Sequence, residues 1–133
     1  MFAEPEGAPP RQVETLRESS NSRVVERDEA TGTVTLAIVD DFGEVRELNH
    51  GLETASVARE RWTIDPAEPL SAYGETHWTQ TLSRLGWSVR TETWTTMRSD
   101  AENFHLTGRI EAFEGDTLVF ERAFDETIAR DHI

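Results

Sequence analysis

From residue 23 to the end of the chain, apolar residues recur at every second position rather than every third or fourth. That period belongs to strands with one face on a core and one in water, not to amphipathic helices. Val34, Leu36 and Ile38 share one face of the first clear run, and a turn at Glu29, Ala30, Thr31 and Gly32 predicts a hairpin with the strand around Val24 and Val25. Asp40, Asp41, Phe42 and Gly43 read as a further turn, followed by a short strand over 44–48 and a break at Asn49, His50 and Gly51. Residues 56–64 alternate again, with Ala58, Trp62 and Ile64 on one side and Val57, Arg59 and Arg61 on the other.

Four longer runs follow, over 73–82, 87–97, 104–113 and 117–128. Their apolar sides carry Trp78 and Leu82; Trp87, Val89 and Met97; Phe104, Leu106 and Ile110; and Leu118, Phe120, Phe124 and Ile128. The breaks between them are short, so consecutive runs pair as antiparallel neighbours. The fold class expected is therefore mostly β: an antiparallel meander of long coiled strands forming a sandwich or an open barrel-like sheet, bent at Gly74 and Gly108. Residues 1–22, with three of the five prolines and a polar string at 17–22, read as an extended arm or linker with a short helix at 11–17. Residues 23–133 form a single antiparallel β domain, since 133 residues suit one domain and not two.

Charge narrows the partners. With 26 acidic against 13 basic residues the net charge is −13, which repels nucleic-acid phosphates and anionic membranes. Neither nucleic acid nor a membrane is expected to bind. The absence of cysteine excludes disulfides, thiolate nucleophiles and iron–sulfur clusters. No segment has the apolar length of a membrane span or the layout of a signal peptide, so a cytoplasmic location is the expectation.

Catalytic chemistry finds little to stand on. There is no Gly-x-Ser-x-Gly; Gly86, Trp87 and Ser88 lack the second glycine. The eight glycines are scattered singly, so no loop cradles a phosphate. His50, His77, His105 and His132 lie 27 or 28 residues apart, which leaves no local chelating pair. A ligand set would have to be assembled across strands, from Glu75 with His77 or His105 with Glu111. Polar residues on the watered side of a sheet account for the same pattern, so no catalytic, cofactor or metal residue is assigned. Trp94 and Arg90 fall on the face opposite Trp87 and Val89, in a stretch rich in Thr and Arg, and an aromatic exposed there would mark a contact surface. The candidate contact surface or pocket is thus Trp62, Trp78, Trp87, Arg90 and Trp94.

Several ordered segments resemble one family. FAEPEGAPP at 2–10, VDDFG at 39–43, DPAEPLSA at 65–72, WSVRTET at 87–93, EAFEGD at 111–116 and IARDHI at 128–133 are similar to the C-terminal region of CocE/NonD-type serine hydrolases, relatives of the X-Pro dipeptidyl-peptidases of the peptidase S15 type. The resemblance implies a parent with an α/β-hydrolase domain and a Ser/Asp/His triad, of which this chain holds none. It implies a non-catalytic accessory domain that is no enzyme alone, with an α/β-hydrolase catalytic domain as partner in cis or trans. Self-association into a homo-oligomer is expected where the covering domain is missing. The alternative is a stand-alone sheet that binds a small apolar ligand beneath Trp62, Trp78 or Trp87.

Overall fold

The computed structural model describes residues 6–131, and in them the chain is all β, with no helix. Eight strands follow one another: β1 (Val13–Arg17), β2 (Ser20–Arg27), β3 (Val34–Glu47), β4 (Glu53–Asp65), β5 (Glu68–Arg84), β6 (Trp87–Ser99), β7 (Asn103–Glu114) and β8 (Thr117–Ala129). They form one antiparallel sheet in which β3 to β8 lie side by side in chain order, while β1 and β2 share the outer side of β3. The sheet is open, and no second layer packs on it among the described residues.

Short turns enforce this meander. Leu85 and Gly86 alone connect Arg84 to its register partner Trp87, and both have positive φ, 50° and 81°. A two-residue hairpin of that kind matches the right-handed twist of its strands, but it strains any residue with a Cβ at the first position. Leu85 is 99% exposed and makes no compensating contact. Leu85→Asn is therefore expected to raise stability by about 0.5–1 kcal/mol, read as a rise of a few degrees in melting temperature.

Two expectations for the first half are corrected. The segment 40–43 is not a turn, because β3 runs through it as one strand with a bulge between Asp41 and Glu44. Gly43 adopts φ 78° there, and a Cβ on it would lie 2.6 Å from the Arg17 carbonyl oxygen. The bulge sits where the neighbouring chain passes from β1 to β2, so β2 pairs with the first part of β3 and β1 with the last. Residues 11–17 form no helix. Val13, Thr15 and their neighbours are held along β3 as strand, and charge pairs fix the outer row: Arg46 reaches Glu14 at 2.8 Å and Glu53 at 2.5 Å, Arg11 reaches Glu47 at 2.5 Å, and Arg17 binds Asp41. The boundary expected at residue 22 consequently falls inside β2. Residues 1–5 lie outside the described residues.

The expected bends at Gly74 and Gly108 do not appear as breaks in register. Gly74 instead makes room: a Cβ on it would come within 2.4 Å of the Trp62 ring, which lies across it from the adjacent strand. The irregularity in the last hairpin falls elsewhere, between Ala112 and Phe113. Phe120 pairs with Ala112 but Leu118 pairs with Phe113, so Leu118 leaves the face shared by Phe120, Phe124 and Ile128.

A single layer buries little. Ala58 is the one buried hydrophobic residue among the described residues, and no large side chain is fully enclosed. The accessible surface is 10042 Å² for 15.1 kDa, whereas a compact protein of that mass exposes roughly 7,000 Å².

Candidate functional site

The register sorts every side chain of the sheet to one of two faces. One row runs Leu36, Trp62, Gly74, Met97, Leu106, and another runs Ala58, Trp78, Thr93, Ile110. Val34, Ile64, Phe104, Phe124 and Ile128 extend these rows, and the polar row Glu60, Thr76, Thr95 runs between them on the same face, with Trp62 Nε1 donating to Glu60 at 3.0 Å. Trp62 is 39% exposed and Met97 44%, which is far from core-like. At one end a groove of about 400 Å³ is lined by Leu36, Trp62, Ile64, Tyr73, Met97 and Phe104 among others. At the other end a second groove of about 320 Å³ is lined by Phe42, Val45, Leu82 and Val89, and Phe42 stacks on Trp78 with ring centroids 6.0 Å apart. All their walls belong to one sheet, so both grooves stay open to solvent on the side away from it.

The opposite face is polar, and its centre is tied together by stacking and hydrogen bonds. His77, Trp94 and Arg109 are register neighbours on three strands, with the imidazole stacked on the indole at 4.9 Å and the guanidinium 5.5 Å from the indole centroid. Glu92, two residues before Trp94, is buried and draws three donors together. Thr79 Oγ1 donates to Glu92 Oε2 at 2.8 Å, Arg90 donates to Oε1 at 2.7 Å, and His77 Nε2 lies 2.6 Å from Oε2. Burial pushes the Glu92 carboxyl up, but these hydrogen bonds outweigh it and hold the group below its ordinary value. Threonine hydroxyls pair across strands around the cluster, Thr96 with Thr107 at 2.6 Å on the same face.

The five candidate residues therefore divide between two surfaces. Trp62, Trp78 and Trp87 lie on the apolar face, but Trp87 sits at the turn opposite Arg84, apart from both grooves. Arg90 and Trp94 lie on the polar face, joined through Glu92 and His77. Trp94 is half-buried because His77 and Arg109 cover its ring. Glu75 and His77 do not converge on a shared ion, since His77 turns to Glu92. His105 does not meet Glu111 but binds Asp100 at 2.7 Å, and Asp100 also accepts the amides of Glu102 and Asn103. Those three bonds, the His105 bond foremost, hold the Asp100 carboxyl well below the usual carboxylate range. No group of three or more His, Asp or Glu forms a metal-ligand set among the described residues, and His132 lies outside them.

No protein-family model, curated protein or solved structure matches this chain. No helix among the described residues is long and apolar enough to cross a membrane.

Proposed function

We propose that this chain is a non-catalytic β module that works by docking, its apolar face packing on the α/β-hydrolase catalytic domain of a CocE/NonD-type enzyme in cis or in trans. The observation that carries the reading is the uncovered apolar face itself. Exposed large apolar side chains gathered on one face among polar residues, Trp62, Leu82, Met97, Phe124 and Ile128 among them, mark an interaction site. The face of a sheet seven strands wide and about 13 residues long measures roughly 1,400 Å², enough for a stable interface on each partner. The segment resemblance from residues 2–10 through 128–133 supplies the partner class. Ester or amide hydrolysis would belong to that partner, whose Ser/Asp/His triad this chain does not carry.

The test is co-elution in size-exclusion chromatography with an α/β-hydrolase of this type lacking its C-terminal β region. Wild-type chain is expected to form a complex with one hydrolase domain per β chain, and Trp78→Glu, which places a charge at the centre of the face, is expected to weaken it at least a hundredfold. Both proteins alone are compared for p-nitrophenyl ester turnover, which the β chain is expected to lack. Absence of a complex, or ester turnover by the purified β chain, would overturn the proposal.

The groove beneath Trp62 favours a second reading, binding of a small apolar ligand, because its size lies within the range of ligand pockets. Such pockets enclose most of their ligand, however, and one sheet alone covers a ligand from one side. Saturable, stoichiometric quenching of Trp62 fluorescence by a long-chain fatty acid in the isolated chain would move the assignment to this reading.

A further inference from the structure

Strand β8 is the outermost strand on its side of the sheet, and every one of its residues from Thr117 to Ala129 is exposed. Its outer row of amide and carbonyl groups has no partner strand among the described residues. Exposed edges of this length are normally blunted by a proline, a short run or charges that repel an incoming strand. β8 contains no proline, and its charges favour pairing with a copy of itself about Phe124 while opposing like charges in the adjacent registers.

We propose that β8 pairs antiparallel with β8 of a second copy, about a twofold axis that sets Phe124 opposite Phe124. Residues 120, 122, 124, 126 and 128 point to the apolar face, as their partners Ala112, Ile110, Gly108, Leu106 and Phe104 do. With the axis at Phe124, Arg122 stands opposite Glu126 of the second copy and Phe120 opposite its Ile128, each pair occurring twice. On the other face Glu121 meets Thr127 and Ala123 meets Asp125. No like charges oppose one another.

Neighbouring registers lack this match. An axis at Ala123 brings Glu121 opposite Asp125, and an axis at Arg122, Asp125 or Glu126 places that charge opposite itself. Within the chain, neither Arg122 nor Glu126 makes an ion pair among the described residues. The Arg122 guanidinium already lies 4.6 Å from the Phe124 ring centroid, beside the axis. The opposite edge offers no such run, because it is broken where β1 passes to β2. A β8 to β8 contact is isologous and closes at two copies, whereas β8 on that other edge would propagate. It yields a sheet fourteen strands wide, within the span of known open sheets, and leaves the apolar face free on one side. The pairing is independent of what covers that face.

Sedimentation equilibrium of the full chain tests it, with secondary structure checked by circular dichroism. Wild type and Trp78→Glu are both expected to be dimers. Arg122→Glu, which opposes Glu126 of the second copy, is expected to weaken the dimer at least tenfold, and Arg122→Glu combined with Glu126→Arg to restore it. In this cysteine-free chain Phe124→Cys is expected to cross-link two copies under mild oxidant, and Thr117→Cys to remain uncross-linked. A monomeric wild type would overturn the proposal. So would a dimer indifferent to Arg122→Glu, or one lost in Trp78→Glu. Failure to bind the hydrolase would bear only on the docking reading.

Discussion

Gly43→Val is expected to lower stability by roughly 3 kcal/mol and the melting temperature by about 10 °C, the larger effect of any single glycine replacement in the sheet. Two causes act together. Gly43 lies at φ 78°, where a β-branched residue is strained, and its Cβ would press on the backbone of Arg17, Glu18 and Ser19 rather than on a side chain that can swing away. The natural control is Gly51, at φ 71° with open space around it, where the same substitution meets only the strain and is expected to cost about 1 kcal/mol less. Hydrogen exchange would locate the damage: amides of β1 should lose protection in Gly43→Val and keep it in Gly51→Val. Equal effects at the two positions would mean that the seam between β1 and β2 does not depend on the bulge.

The second large effect is expected at Glu92. Glu92→Gln keeps the shape of the side chain but removes the negative charge that strengthens its bonds to Arg90, His77 and Thr79, at a cost of about 2 kcal/mol near neutral pH. The pH dependence has a definite sign. The folded chain holds this carboxyl below its ordinary value of 4.5, so the wild type's advantage is complete above that value. It should shrink as pH falls through the lower, folded value, where the carboxyl gains a proton. Urea denaturation of both proteins from pH 7 downward measures this; an advantage that stays constant across the acid range would show that the charge of Glu92 contributes nothing to stability.

Much of this polar cluster was within reach of the sequence. Arg84, Leu85, Gly86 and Trp87 mark a two-residue hairpin, and that turn by itself sets His77 opposite Trp94 and Thr79 opposite Glu92. Alternation likewise assigned Trp62 and Trp78 to one face and Trp94 and Arg90 to the other. What alternation cannot carry is an extra residue in one strand. The bulge at 41–44 reads as a turn because Asp, Asp, Phe and Gly are turn formers, and their use inside a strand depends on a neighbouring chain, residues 17–19, that lies distant in sequence. The shift at Ala112 and Phe113 hides in an ordinary apolar stretch and moves Leu118 to the other face. The strand at 13–17 is masked by its charges, since Arg11, Glu14 and Arg17 look like solvated arm residues until Glu47, Arg46 and Asp41 are set beside them. Periodicity also shows that a face is apolar without showing what covers it, and so a sandwich and an open sheet share one pattern.

The lack of a second layer also decides where the heat capacity of this molecule resides. Unfolding raises heat capacity in proportion to the apolar surface it newly exposes, and denaturant sensitivity follows the same surface. A sheet that already shows water its tryptophans and leucines has little left to expose, so by itself it should melt over a broad range with a shallow calorimetric signature. The missing increment belongs to association: covering the apolar face removes that surface from water, and the large negative heat-capacity change usual for the folding of a domain would be divided between folding and the arrival of a partner.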